Sequence, residues 1–392
     1  MPEELAMIDR RLIIMDRHAV AQALHINRGM VSTYGARAKT QNLLEGAAVD
    51  DDLYTVVDAL VNGDLGRRLL ARTIPELSAG AWRLLSCQVT EVRKQRRKRI
   101  AFCLISYQNR ADRRVKTTEI VAKFYGSDRG TKALRALQKL WEAGFRPPAR
   151  YCVPRPYGYF PEQGALLQAN APGATWASFL RGDERALAAV SAQAGAWLVQ
   201  LQRSPVSAEA KSWMGDVDSA QRFAHELASS FPEHASRLEP VAERLIQVLR
   251  AEGVPLLPSH GDYHPKNVFL TPGLTTVIDF DTMGLREAAF DVGYAIGQLL
   301  IMSYFQIGDF APGARAGLAF WRHYQVGGPA TWTRVAAQVA RAFLQSLHYE
   351  LCTLRNNRVE LLDLWPDLIE EWLHSDGPTT LERLQFNSSR CP

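Results

Sequence analysis

The sequence predicts an α+β fold with two lobes, the first rich in β-strands and the second mainly helical, preceded by a helical extension. Two observations predict this order. β-Branched and aromatic residues gather in short runs within residues 81–169, whereas apolar residues recur at helical spacing through residues 170–380. Residues 1–80 also mix apolar and charged residues at helical spacing, and residues 381–392 are predicted to form a tail.

The β-rich lobe is predicted to be an antiparallel sheet that carries one helix. Its strands are predicted at residues 83–92, 100–107, 118–125 and 165–168. The helix is predicted from Thr131 to Ala143, where Gly144 ends it, and four prolines mark the connector that follows. The turn between the first two strands is very basic, with six Lys or Arg residues between Arg93 and Arg99.

The second lobe is predicted to be helical except for one β-hairpin. Its helices are predicted at residues 176–180, 185–202, 219–230, 240–252, 291–303, 314–324, 331–355 and 361–373. The hairpin strands are predicted at residues 268–270 and 276–278, joined by a turn that contains Pro272-Gly273. The two lobes meet near Gln168, and the cleft at such a junction is where ligands usually bind.

The composition limits the classes of partner. The five cysteines are scattered and never spaced as C-x-x-C, which argues against disulfides or a zinc site and predicts a cytoplasmic location. The N-terminus has no apolar signal segment, and the most apolar stretch, residues 186–201, is too short and too polar to span a bilayer. A net charge of +5 suits an anionic ligand such as a nucleotide, but it is far too small to indicate nucleic-acid binding.

Three polar residues around the predicted hairpin point to phosphoryl transfer. Asp262 follows Gly261 in a tight loop, where it can accept a hydroxyl proton. Asn267 precedes the first hairpin strand and Asp279 follows the second, so the hairpin brings the two side chains together. Phosphoryl transfer needs a group that orients the attacking hydroxyl and oxygen ligands for Mg²⁺, and these residues supply both.

The residues around Asp262 also carry a family resemblance. The run His260-Gly261-Asp262-Tyr263-His264-Pro265-Lys266-Asn267, followed by Val277-Ile278-Asp279-Phe280-Asp281, closely resembles the aminoglycoside phosphotransferase and choline kinase-like family. Residues 194–202 resemble that family's helix before the catalytic loop, and Asp291-Val292-Gly293 resembles its D-L-A segment. The resemblance covers residues 81–373 and implies a bilobal protein-kinase-like fold with an antiparallel β N-lobe and a helical C-lobe.

The resemblance implies a role for each residue of the transfer site. Asp262 would be the catalytic base, while Asn267 and Asp279 would hold Mg²⁺. Asp281 would assist the metal through a water molecule, and Asp291 would brace the catalytic loop.

The resemblance also implies how the nucleotide is bound, and here the sequence departs from the family. Lys123 would clamp the phosphates, and the backbone from Gln168 to Asn170 would contact the adenine. The strands between residues 83 and 107 contain no glycine, so a glycine-rich phosphate loop is absent from them. The glutamate that normally pairs with the lysine is also missing, because its place falls near Ala133.

Three features of the sequence are each compatible with more than one interpretation. The basic turn at residues 93–99 is a solvated hairpin turn, a substitute for the glycine loop, or a nucleic-acid contact. His260 and His264 shape the loop or act directly in catalysis. The acidic residues of the C-terminal helices form a solvated face or line a site for an aminated substrate. These acids are Glu350, Glu360, Asp363, Asp367, Glu370 and Glu371.

The predicted function is therefore a small-molecule kinase. It would use Mg²⁺ and move the γ-phosphate of ATP, or alternatively of GTP, to a hydroxyl of an aminoglycoside, an amino sugar or a sugar. The alternative is a nucleotide-binding regulatory protein that resembles a pseudokinase and transfers nothing. The predicted partners are the nucleotide and the small acceptor, with neither nucleic acid nor membrane, and the protein is predicted to be a monomer or a homodimer.

Overall fold

The computed structural model describes residues 64–95, 98–125, 129–250 and 254–386. Of the predicted N-terminal extension, residues 1–63 lie outside this described part. Its end forms two short helices, α1 (Asp64–Thr73) and α2 (Pro75–Ser78). Ile74 between them and Leu77 are buried, so this segment belongs to the packed structure.

The β lobe is built on a five-stranded antiparallel sheet with the strand order β1-β2-β3-β6-β5. Its strands are β1 (Trp82–Gln95), β2 (Lys98–Asn109), β3 (Val115–Tyr125), β5 (Pro156–Phe160) and β6 (Ala165–Ala169). Strand β5 was predicted as a proline-rich connector. It forms a strand at the sheet edge, where proline at its first position disrupts no ladder inside the sheet. The tip of the basic turn, residues 96–97, lies outside the described residues.

One helix, α3 (Arg129–Glu142), packs against this sheet. Ala133, Leu137 and Leu140 are buried at helical spacing and face the strands. The helix ends before Gly144, whose φ of 97° favours glycine. Both its existence and its end agree with the sequence prediction.

The second lobe is helical, and its apolar faces enclose one large core that reaches into the β lobe through α3. Its helices are α4 (Glu184–Arg203), α5 (Trp213–Ser230), α6 (Ala235–Leu249), α7 (Ala289–Ile307), α8 (Ala311–Tyr324), α9 (Trp332–His348), α10 (Leu361–Leu373) and α11 (Thr379–Leu384). Within the described residues, none of these helices is long and apolar enough to cross a membrane.

Three boundaries in this lobe differ from the prediction. Helix α5 begins six residues before the predicted Ser219, because the side chain of Ser212 caps it by accepting from the Met214 N–H. The single helix predicted at residues 331–355 changes after α9 into a π-helical turn, Tyr349–Thr353. Residues 381–384 were predicted in a tail but belong to α11, because Leu381 and Leu384 are buried.

Two small sheets hold the chain around the predicted hairpin, and the larger one contains the hairpin itself. One has the order β4-β10-β9-β7 and the other pairs β11 with β8. The strands are β4 (Tyr151–Cys152), β7 (Ala174–Thr175), β8 (Leu256–Ser259), β9 (Val268–Thr271), β10 (Leu274–Val277) and β11 (Gly284–Glu287). Because β8 leads into residues 260–267 and β9 leads out, the loop with Asp262 is held at both ends.

Candidate active site

The loop at residues 260–262 is anchored by a buried carboxylate. Asp291, in the first turn of α7, is 1% exposed. Its two oxygens accept the backbone N–H groups of His260 at 2.6 Å and Gly261 at 2.9 Å. Charge-assisted bonds of this kind are the strong ones in proteins, so Asp291 fixes the backbone just before Asp262.

His260 ties the loop to the end of the hairpin. Its Nδ1 accepts the Asp262 N–H at 3.2 Å, and its Nε2 lies 2.9 Å from the Ile278 carbonyl. Nδ1 as acceptor leaves the proton on Nε2, which then donates to Ile278. These contacts are to backbone, as the loop-shaping interpretation of this histidine predicts.

Glycine is the one residue type that fits at position 261. Its φ is +80°, and a Cβ there would collide with the backbone carbonyl of Thr282. The Thr282 hydroxyl donates to the His260 carbonyl at 3.2 Å. The loop therefore packs directly on the segment that follows Asp279.

Helix α4 packs against the loop and supports it. The Tyr263 hydroxyl donates to the Ala194 carbonyl at 2.8 Å, and its ring stacks on Trp197. Gln202, where the family commonly has histidine, donates to the Ala288 carbonyl and accepts from the Tyr324 hydroxyl. Gln202 thus joins α4 to the residue before α7 through its NH₂ group and to the end of α8 through its amide oxygen.

Asp262 and Asn267 lie side by side. The Asn267 Nδ2 donates to the Asp262 carbonyl at 3.1 Å and lies 3.4 Å from its Oδ2. The Asp262 side chain is 35% exposed, so an acceptor can reach it. His264 Nε2 is 3.7 Å from the same Oδ2, and burial lowers the pKa of His264. A neutral imidazole leaves the carboxylate free to take a proton.

Asp279 and Lys123 form an ion pair across the two lobes. Lys123 Nζ lies 3.1 Å from Asp279 Oδ1, and Lys123 is only 3% exposed. Ala133 is buried where a glutamate was expected, and the one acid of α3, Glu142, is exposed. Asp279 therefore takes over as the ionic partner of Lys123. It does so from a left-handed backbone conformation, φ 73°, which aspartate tolerates better than most residues.

Tyr125, which the sequence interpretation missed, makes a second contact between the lobes. Its hydroxyl donates to Asp281 Oδ1 at 2.8 Å. Burial, together with the charge of Asp281, raises the pKa of Tyr125, so the hydroxyl remains a donor. Tyr125 is two residues after Lys123 on β3, and side chains at that spacing share one face of a strand. This periodicity is the signal that could have identified it.

The two other predicted nucleotide residues lie at the end of β6. Gln168 is buried beside Val121, and its Oε1 has no hydrogen-bond partner among the described residues. Because Val121 and Lys123 share a strand face, Gln168 lies on the cleft side of the sheet. The Asn170 backbone N–H donates to the Glu119 carbonyl at 3.2 Å, and its side chain donates to the Glu119 carboxylate. That N–H is engaged within the sheet, which leaves the Asn170 carbonyl for a ligand.

Tyr294 also faces the loop and was missed. Burial and the nearby Asp262 carboxylate raise the pKa of Tyr294. It stands three residues after Asp291 on α7, a spacing that places both on one helix face. Asp291, which braces the loop, and Tyr294, which lies near Asp262, therefore come from the same helix.

The donor atoms beside Asp262 fit Mg²⁺. Within the described residues, no three or more His, Cys, Asp or Glu side chains gather as a metal site. Mg²⁺ does not need such a cluster, since it keeps several waters and binds one or two carboxylates together with substrate phosphates. Asn267 directs its Nδ2 to Asp262, so its amide oxygen is turned away toward ligands. Asp279 supplies the carboxylate.

Five of the six acidic residues of the C-terminal helices pair with arginines. Asp363 and Asp367 pair with Arg237, and Glu370 pairs with Arg244. Such pairs at a protein surface match the solvated-face interpretation better than an aminated-substrate site.

Asp291→Asn is expected to lower the free energy of unfolding by about 2–4 kcal/mol. Asparagine offers one acceptor oxygen, and its NH₂ group would oppose one of the two loop N–H groups. Denaturant titration measures the change. Asp309→Asn is the matched control, because Asp309 accepts a single N–H, from Ala311, and asparagine can still accept it. A loss no larger than that of the control would show that Asp291 does not hold the loop.

Comparisons with known proteins bear on both fold and family. The family model described as "Phosphotransferase enzyme family" matches residues 107–338, more than half of the chain. A comparison with curated proteins finds no match.

Two solved structures resemble the whole described fold. A choline kinase from Cryptosporidium parvum Iowa II has a TM-score of 0.51 at 10% identity, covering 79% of this chain and 94% of that one. The amicoumacin kinase hAmiN, in complex with AMP-PNP, Ca²⁺ and Ami, has a TM-score of 0.50 at 15% identity, covering 78% and 95%. At these identities the likeness shows the fold, and it confirms the bilobal kinase-like architecture. The family match over residues 107–338 shows that the chain belongs to the phosphotransferase enzyme family.

Proposed function

We propose that this phosphotransferase moves the γ-phosphate of ATP, or alternatively of GTP, to a hydroxyl of a small molecule such as an aminoglycoside, an amino sugar or a sugar. One observation carries the proposal. Asp262 and Asn267 lie within 3.4 Å of each other on a braced loop, and Asp279 stands at the end of the hairpin beside Lys123. A base, two oxygen ligands and a cation are the parts that phosphoryl transfer requires.

Asp262 is proposed as the catalytic base. It would accept the proton of the acceptor hydroxyl and hold that oxygen in line with the γ-phosphate. Its backbone N–H bond to His260 and its neighbour Asn267 fix its orientation before the acceptor arrives. Positioning of this kind supplies much of the rate because the protein contributes no covalent step.

Asn267 and Asp279 are proposed to hold Mg²⁺, which would supply positive charge against the phosphates. Lys123 is proposed to bind the phosphates. A phosphate oxygen near its ammonium group would compete with Asp279 Oδ1, so nucleotide binding and the Lys123–Asp279 ion pair are linked. In the family the lysine has a separate glutamate partner, whereas here Asp279 is proposed both to pair with the Lys123 ammonium group and to bind Mg²⁺.

Gln168 and Asn170 are proposed to contact the nucleotide base. The free Oε1 of Gln168 can accept a hydrogen bond from an exocyclic amino group such as that of adenine. The Asn170 carbonyl can do the same from the strand end. The amicoumacin kinase of similar fold is in complex with AMP-PNP and Ca²⁺, in keeping with a nucleotide and a divalent metal in such a cleft.

A cytoplasmic location is proposed for the enzyme. The four cysteines in the described part of the chain are free thiols, which suits a reducing compartment.

A phosphorus-NMR screen of acceptors, with ATP and GTP side by side, tests the proposal. We expect a new phosphomonoester signal and stoichiometric nucleoside diphosphate with at least one acceptor, and a signal that grows at least about 100-fold more slowly with Asp262→Asn. Nucleotide that binds in the presence of Mg²⁺ but is transferred to no acceptor would instead favour the regulatory alternative.

A further inference from the structure

A group of charged side chains, four of them partly buried and Arg341 buried, lies near the catalytic loop and takes no part in the proposed transfer. The group consists of Asp216 on α5, Arg286 and Glu287 on β11, and Arg334 and Arg341 on α9. We propose that Arg341 binds an anionic group of the acceptor, a carboxylate or a phosphate, while the acceptor hydroxyl meets Asp262. The inference rests on the proposed function and narrows the class of acceptor to alcohols that also carry an anionic group.

Two of the three arginines already have acidic partners. Arg286 pairs with Asp216 at 3.3 Å. Arg334 makes a two-pronged pair with Glu287, at 2.8 and 3.0 Å. Within this group three arginines meet two acids, and Arg341 is the arginine that has no carboxylate at ion-pair distance among the described residues.

Arg341 is satisfied only in part. It is 6% exposed, and its Nε and Nη1 donate to the neutral amide oxygens of Gln338 at 2.6 Å and Gln345 at 3.3 Å. Its Nη2 is buried and has no hydrogen-bond partner among the described residues. A buried donor without a partner is costly, and a charged one costs more than a neutral one. An incoming anion would satisfy Nη2 and balance the excess charge at once.

Aromatic rings connect Arg341 to the base. Its guanidinium carbon lies 4.4 Å from the Phe290 ring centre and 5.8 Å from that of Tyr294. Tyr294 in turn lies close enough to Asp262 for the carboxylate to raise its pKa, after the larger effect of burial. Arg341 and Asp262 thus both lie near one tyrosine.

This arrangement selects the charge of the acceptor. An acceptor with a hydroxyl at one end and an anion at the other would match this pair of groups, and arginine binds carboxylates and phosphates through two parallel hydrogen bonds. The amines of a polycation would instead meet the excess positive charge. A hydroxy acid or a phosphorylated alcohol therefore fits this surface better than an aminoglycoside.

Matched acceptor pairs test the inference by turnover. Glucuronate and glucose 6-phosphate are compared with glucose, serine with serinamide, and kanamycin serves as the polycation. We expect kcat/KM to favour the anionic members about 10- to 100-fold, as charged hydrogen bonds allow. Arg341→Met should remove the preference, while Arg341→Lys should keep part of it because lysine retains the charge but not the planar fork.

Arg358→Met is the matched control. Arg358 lies 4.4 Å from the Phe305 ring centre, the same cation–π distance as Arg341 to Phe290, and pairs with Glu350. Phe305 is 11 residues beyond Tyr294 on α7, about 16 Å along the helix axis. This variant should keep the anionic preference of the wild type.

Anion binding without turnover separates failure of the inference from failure of the proposed function. Thermal unfolding is followed with malonate or sulfate added to protein saturated with Mg²⁺ and AMP-PNP. Wild type and Arg358→Met should be stabilised by about 2–4 °C at roughly ten times the anion Kd, and Arg341→Met by less than half as much. If the anions stabilise the three proteins in this pattern but no acceptor is phosphorylated, the inference is supported and the proposed function is wrong. Equal stabilisation of all three proteins, or a preference for neutral or cationic acceptors that survives Arg341→Met, overturns the inference.

Discussion

Asp262→Asn is expected to lower kcat about 10²- to 10⁴-fold, the range that a positioned general base contributes. Asparagine has nearly the same shape and can keep the neighbouring hydrogen bond to Asn267, but it cannot take the acceptor proton. The KM for nucleotide should change little, because Asp262 lies beside the proposed metal ligands Asn267 and Asp279 and is not proposed as one of them. Initial rates with the best acceptor of the screen, together with the affinity for AMP-PNP, measure both effects.

Asp183→Asn is the control for this substitution. Asp183 caps α4 by accepting the Ala186 N–H at 2.8 Å, and asparagine caps equally well, so activity should be unchanged. If Asp262→Asn retained more than about a tenth of the wild-type kcat, well above the residual activity left without a base, Asp262 would not be the base.

Asp279→Asn is expected to lower kcat about 10³-fold and to remove the dependence of nucleotide affinity on Mg²⁺. The charge that the metal places on the phosphates is worth several kcal/mol in the transition state, and a neutral amide is a much weaker ligand than a carboxylate. The substitution also leaves the buried Lys123 without its ionic partner. We therefore expect the free energy of unfolding to fall by about 1–3 kcal/mol, less than for a fully buried pair because the Asp279 side chain is 21% exposed.

Calorimetric titration of AMP-PNP with and without Mg²⁺ measures the metal effect, and denaturant titration measures the stability. Asp281→Asn is the comparator, since its amide oxygen can still accept the Tyr125 hydroxyl. Its kcat should fall by no more than about tenfold, as expected for a contact through water. Equal magnesium dependence in Asp279→Asn and wild type would remove Asp279 from the metal site.

The transfer half of the site could be predicted because it is local. Asp262 and Asn267 are five residues apart, and a short hairpin returns the chain to Asp279, so spacing alone brings them together. The brace by Asp291 followed from the resemblance, and the contacts to His260 and Gly261 agree with it.

The nucleotide half could be predicted only in part, because its contacts join distant segments. The missing glutamate at Ala133 was evident, but its replacement by Asp279 joins residues 156 positions apart. Arg341 on α9 likewise contacts Phe290 and Tyr294 on α7 through side-chain packing that no local pattern records. Strand β5 was missed for a different reason, since Pro156 at its start is typical of a connector and is equally compatible with a sheet edge.

A crystal structure with Mg²⁺ and AMP-PNP tests the central claim most directly, that Asp262, Asn267 and Asp279 form one transfer centre. We expect Mg²⁺ about 2.0–2.1 Å from oxygens of Asn267 and Asp279, with Lys123 on the phosphates and the γ-phosphate facing Asp262. A metal held by other residues, or a nucleotide bound outside the cleft beside Lys123, would contradict it.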